Sequence, residues 1–195
     1  LSGRKEWEDL RLRTAERFGE ESVFGEGPLD AGLAIVGEAP GREEVEKGRP
    51  FVGSAGRLLD RLLEDAGIDR REVYVTNIVK VRPTEKSGGR TRNRPPRAAE
   101  IREGLEVLRE ELGIVKPDVL ALLGATPARA LIKKSLTLGS DRGTIFHSTL
   151  GPPALATYHP AYLLRIKGTG EDYDRLWREV VEDLALARRR VGGRS

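Results

Sequence analysis

The sequence predicts an α/β fold of three layers (αβα), with helices on both faces of a central four-stranded, mostly parallel sheet. Two observations carry this expectation. First, LAIVG (33–37), VYVTNIV (73–79), VLALLG (119–124) and ALATY (154–158) are short apolar runs with the length of buried strands. Second, stretches with helical spacing of apolar residues separate these runs, the alternation that lays strands parallel. The chain has 195 residues, which suits one domain with a sizeable core. Neither a repeat nor an interior linker divides it, so residues 1–195 read as a single domain.

The elements follow in order. Trp7, Leu10 and Phe18 lie at rough helical spacing and mark a leading helix. After the first strand, Leu58, Leu59, Leu62, Leu63 and Ala66 share one face of an amphipathic helix that Gly67 stops. The Arg, Gly and Pro-rich segment 80–96 has no period and reads as a long loop, of the kind that is usually functional or mobile. Ile101, Leu105, Leu108 and Leu112 mark the next helix, and TPARALI a short one after the third strand. TIFHS (144–148) suits an edge strand. Trp177, Val180, Leu184 and Ala187 are in phase along a closing helix.

Composition removes several function classes. The chain contains no cysteine, which excludes disulfides, thiolate catalysis and cysteine-held zinc or iron–sulfur sites. Its two histidines are far apart, so no metal site and no cofactor are expected. No apolar run approaches the roughly 20 residues of a membrane span. LSGRKEWEDL has no apolar signal-peptide core. The expectation is a soluble cytoplasmic protein, monomeric, with no membrane partner.

The net charge is only +3, but it is unevenly placed. Lys80, Arg82, Lys86, Arg90, Arg92, Arg94 and Arg97 share a segment in which Glu85 is the one acid. That pattern is either a solvated loop or a phosphate-binding surface that gains from counterion release. Arg188, Arg189, Arg190 and Arg194 read as a solvated helix end.

Ligands of open α/β sheets bind beyond the carboxyl ends of the strands. At the four predicted ends stand Glu38 (GEAPGREE), Asn77 (VTN), Gly124 (LLGAT) and His159 (TYHPA). Taken singly, Glu38 could serve a turn, Asn77 a strand end and His159 the core. Together on one edge they suggest a site. GEAPGREE lacks both G-x-G-x-x-G and a G-K-[ST] ending, so neither a dinucleotide nor an ATP loop is supported. Its glycines allow backbone to approach a flat ligand. Phe51, in GRPFVG, adds an aromatic ring. A ring to stack, an amide to read a base edge and an imidazole to meet a carbonyl oxygen are the parts of a nucleobase pocket.

In this order, GEAPG, GRPFVG-x-AG, VTN, LLGAT and HPAYLLR resemble the family-4 branch of the uracil-DNA glycosylase superfamily. The likeness runs from about Phe24 to Trp177. It implies an enzyme that flips uracil out of DNA and hydrolyses its N-glycosidic bond, leaving an abasic site. By the same resemblance Glu38 orients the attacking water or supports the sugar cation, and His159 bonds uracil O2. Ala39, Gly41, Phe51 and Asn77 hold the base, and Glu44 crowds a thymine methyl. Tyr162, Leu163 and Leu164 wedge into the base stack. With Arg165 and the basic Lys80, Arg82, Arg90, Arg92 and Arg94, they contact DNA.

The chain also departs from that family. Four cysteines with an iron–sulfur cluster are usual there, but Val81 and Gly104 stand at the third and fourth places. Apolar packing through Val81 and Ile101 is the expected substitute. The segment 84–96 resembles the inserted loop of X-type members without its histidine, which argues for ordinary turnover over covalent trapping. Two alternatives stay open: excision of another deaminated base such as hypoxanthine or xanthine, and a non-catalytic DNA-binding module of the same fold.

Overall fold

Four parallel strands form the sheet because their residues are apolar on both faces. In the computed structural model, which describes residues 2–170 and 172–192, these are β1 (Leu33–Gly37), β2 (Tyr74–Asn77), β5 (Val119–Leu123) and β7 (Pro153–Thr157). Nearly every residue in them is buried, as expected when helices cover both faces. A fifth strand, β6 (Phe146–His147), joins β7 antiparallel, so the order is β2-β1-β5-β7-β6 and the sheet has five strands, not four. The extra strand is the two-residue core of the TIFHS stretch. It is too short for alternation to mark it firmly.

Side-chain alternation splits the core. Leu33, Ile35, Val75, Val119, Ala121, Leu123 and Leu155 face α3 (Ser54–Asp65), α7 (Pro160–Ile166) and α8 (Tyr173–Arg188). Ala34, Val36, Tyr74, Leu120, Leu122, Ala154 and Ala156 face α4 (Ala98–Val115) and α5 (Ala125–Leu131). The leading helix α1 (Ser2–Phe18) packs on the outside of α4 through Leu10, with Phe24 and Val107. Short helices α2 (Arg42–Lys47) and α6 (Leu138–Asp141) lie in connections for which the sequence predicts no element. The chain just before β1 turns back onto the outer edge of β2, where Glu26 and Val75 exchange backbone hydrogen bonds.

The segment expected to be an irregular loop contains a hairpin, β3 (Thr84–Ser87) with β4 (Arg90–Asn93). Gly88 and Gly89 both have positive φ (56° and 76°), the requirement of a tight I′-type turn. Its strands carry no apolar face, and the hairpin is mostly exposed, so hydrophobic period could not announce it. Arg94 anchors its base, with its two terminal nitrogens each 2.7 Å from a carboxylate oxygen of Glu100 and Nε donating to the carbonyl of Thr84. These contacts hold the Glu100 carboxyl down at about 2. Of the tail arginines, Arg194 lies outside the described residues.

The turn after β2 is packed against α4 at Gly104. A methyl group there would come within 2.2 Å of the carbonyl oxygen of Ile78. Gly to Ala inside a helix ordinarily gains about 1 kcal/mol in propensity. Overpacking against fixed backbone costs about 1–3 kcal/mol. Gly104→Ala is therefore expected to lower stability, read as a lower urea midpoint. A raised midpoint would contradict the packing.

Candidate active site

Strand order fixes where a site can form. The chain passes from β1 outward to β2 on one side and to β5 on the other, so the β1–β5 boundary is the switch point of the sheet. A cavity of about 770 Å³ opens there. Glu38, Ala39, Gly41, Glu44, Phe51, Asn77, His159, Tyr162 and Arg165 all contribute to its wall. Pro83, Asn93 and Arg94, at the root of the hairpin, complete one side.

Asn77 ends β2 and is paired in register with Gly37, the last residue of β1. Asn77 Oδ1 and Phe51 Cζ both close on Gly37, at 2.4 and 2.6 Å from where a β-carbon would sit. Only glycine lets the amide and the ring meet over this strand end. Asn77 is 3% exposed, and among the described residues its side chain has no hydrogen bond to protein. A buried polar group without a partner, set in a cavity wall, is suited to a ligand.

Phe51 stands at φ 53°, left-handed and unusual for a bulky residue. Glu44 explains how the strain is held. Its Oε1 accepts the N–H groups of Val52 and Gly53, at 3.1 and 2.7 Å, and Oε2 accepts that of Gly41 at 3.1 Å. One carboxylate thus braces the Phe51 turn against the GEAPG turn. The sequence offered no sign of this bracing, because its three partners are backbone.

His159 caps α7, and Pro160 follows at the first helical position. Its Nδ1 accepts the N–H of Ala161 at 3.0 Å. A neutral imidazole has one acceptor and one donor nitrogen, so the proton resides on Nε2. Burial, and secondarily the charge of Arg165, push the histidine from 6.5 to about 4. The rings of Phe51 and His159 are nearly parallel, at 26°, with centroids 6.2 Å apart. Glu38 accepts a short hydrogen bond from the hydroxyl of Thr126, a partner that sequence reasoning missed.

Three expected DNA contacts are corrected. Lys80 is 1% exposed and ion-paired with Glu111, so it meets no phosphate. Leu163 is 0% exposed, because Pro160, Leu163 and Ile166 form the inward face of α7. It cannot wedge into a base stack, whereas Tyr162 and Arg165 contribute to the cavity wall. The Arg94 guanidinium is committed to Glu100 and Thr84. Arg82 donates to Asn93, and Arg90 and Arg92 are exposed on the hairpin.

The residues do not fit the iron–sulfur cluster that the family resemblance implies. The chain has no thiolate, and Gly104 has the Ile78 carbonyl where a side chain would begin. Of the two residues expected to replace it, Ile101 packs against the core, whereas Val81 is half-buried and belongs to none of the core clusters. The buried Lys80–Glu111 pair ties the turn after β2 to α4.

The buried imidazole makes stability pH-dependent. With the folded value depressed, the unfolded chain binds the proton first. The contribution is intact above pH 6.5 and is lost as pH falls towards about 4. Urea unfolding between these limits should show a steeper loss in the parent than in His159→Gln. Equal slopes would show that the imidazole is not held neutral.

Comparison with known proteins identifies the family. Residues 24–185 match the family model described as "Uracil DNA glycosylase superfamily". The chain is 39% identical to the type-4 uracil-DNA glycosylase of Thermotoga maritima over 167 residues, covering 85% of this chain and 81% of that protein. It is 38% identical to the type-4 enzyme of Pyrobaculum aerophilum over 156 residues, 76% of each chain. To the type-5 uracil-DNA glycosylase of the same organism it is 32% identical, over 70% of this chain and 64% of that one. The chain belongs to the uracil-DNA glycosylase superfamily.

Proposed function

We propose that the chain is a monofunctional uracil-DNA glycosylase of the family-4 kind, working without a cluster, as a monomer on DNA in the cytoplasm. The observation that carries the reading is a neutral imidazole with its Nε2 proton available at the cavity, opposite the Phe51 ring and the unpartnered amide of Asn77. Cleavage of an N-glycosidic bond drives negative charge onto the leaving base and positive charge onto the sugar. In this reading His159 Nε2–H donates to uracil O2, where the charge grows. That donor stabilises the transition state more than the ground state and so raises rate as well as affinity.

Asn77 donates to O4 and accepts from N3–H, while Phe51 stacks on the ring. Cytosine presents the reversed pattern and would leave a buried amide mispaired. Glu38, oriented by Thr126, places its carboxylate where the sugar cation forms. Glu44, Ala39 and Gly41 wall the base, and Glu44 does so while holding the Phe51 turn. Tyr162, in the cavity wall, enters the base stack, and Leu164, half-buried on the same helix, supports it. Arg165, Arg82, Arg90 and Arg92 serve the phosphates.

The test is release of uracil from single- and double-stranded oligonucleotides, followed by alkaline cleavage of the abasic site. Hypoxanthine and xanthine substrates run beside uracil would expose a different base preference. His159→Ala and Asn77→Ala should each lower single-turnover excision by about 10²–10³ with the fold intact. Near-normal turnover in either variant would remove the role given to that residue. Replacing Arg90 and Arg92 with serine should weaken DNA binding and flatten its dependence on salt by up to about two phosphate contacts. An unchanged salt slope would make the hairpin a solvated arm only.

A further inference from the structure

A buried polar network lies directly behind the base-reading amide, and the chemistry proposed above does not use it. Lys80 and Glu111 both have fully buried side chains. The Lys80 ammonium donates to Thr76 Oγ1 at 2.7 Å, to the carbonyl oxygen of Asn77 at 2.7 Å, and to Glu111 Oε2. An ammonium has three protons, and three acceptors meet it. Glu111 in turn accepts from Tyr74 Oη, Thr76 Oγ1 and the backbone N–H of Gly25, and Trp7 Nε1 donates to Tyr74 Oη. Four separate parts of the chain are thus tied to one carboxylate.

A buried ion pair is poor evidence for stability, since apolar residues of similar volume often do as well. What this pair touches is more informative. The peptide between Asn77 and Ile78 is planar, so fixing both its polar groups fixes its plane. Its N–H donates to the carbonyl of Gly37 at 3.0 Å, across the β1–β2 ladder. Its carbonyl points the other way, to the sheet edge, where no further strand can receive it. Lys80 Nζ meets it there. The peptide that begins at Asn77 is therefore pinned from both sides, and the direction of the Asn77 side chain follows.

We propose that Lys80 is a positioning residue: held by Glu111, it clamps the Asn77 carbonyl and thereby aims the Asn77 amide into the cavity. The proposal rests on the glycosylase reading for its effect on rate, but its structural part stands apart from it.

Lys80→Met alone would strand the charge of Glu111, so the working variant is Lys80→Met with Glu111→Gln, which keeps acceptor and shape. Three measurements decide, all well below the melting midpoint: the side-chain amide signals of Asn77 in ¹⁵N–¹H spectra, assigned by their loss in Asn77→Ala; single-turnover excision; and KM for the oligonucleotide. The expected result is displaced or doubled Asn77 signals, an excision rate lower by about 10–100-fold and KM little changed. Adding Asn77→Ala to the double variant should then cost much less than it does in the parent, because the two changes remove the same interaction. Unmoved Asn77 signals in the folded variant, or fully additive losses, would overturn the proposal. Displaced signals in a chain whose parent releases no uracil would sink the glycosylase reading and leave the clamp standing.

Discussion

The register between β1 and its two parallel neighbours is the constraint on which the site depends. It sets Gly37 beside Asn77 on one side and Val36 beside Leu122 on the other. Three strand ends thereby finish at one level, and the turns that follow them face a common cavity. A slip of one residue would turn Asn77 to the opposite face of the sheet and bury an apolar neighbour's position in its place. The apolar packing on both faces, with Ile35 and Val36 wholly buried on opposite sides, is what forbids the slip. The core specifies the site through register, and two of its buried side chains, Phe51 and Leu123, reach the cavity wall themselves.

Much of the scaffold was legible in the sequence because burial leaves periodic marks. The four parallel strands and the helices α3, α4 and α8 all have apolar residues where the period demands. Glu38, Asn77 and His159 were legible for a related reason, since parallel strands leave their ends on one edge, and Phe51 was legible as a ring between glycine and proline in a connection. The hairpin was not legible, because strands exposed on both faces have no period and only Gly88–Gly89 marked the turn. Lys80 and Leu163 were misread for opposite reasons. A lysine among arginines looks solvated until a distant glutamate 31 positions on is brought against it. Leu163 stands between Ala161 and Tyr162 on one side and Arg165 on the other, all in the cavity wall, and only the phase of α7 separates it from them.

Contacts made by backbone were the least visible. Glu44 bridges two turns by accepting three N–H groups, and nothing in residue type alone points to such acceptors. The same holds for Ala161, whose amide decides which nitrogen of His159 keeps the proton. Both cases join local folding to chemistry: a capped helix fixes a tautomer, and a braced turn fixes a ring. The strained φ of Phe51 is tolerated because the neighbouring amides are held.

The covering of the outer edge of β2 has a consequence for colloidal behaviour. An open strand edge is a template for pairing between molecules. Here the Glu26–Val75 exchange occupies part of that edge, and Lys80 caps the carbonyl beyond it. At the other margin of the sheet β6 is only two residues long, too brief to recruit a second chain. The hairpin is the exposed ribbon, and its second strand, β4, carries Arg90 and Arg92, whose like charges repel a copy of themselves. A ribbon that is exposed on both faces thus carries, in its own side chains, a charge that opposes edge-to-edge pairing.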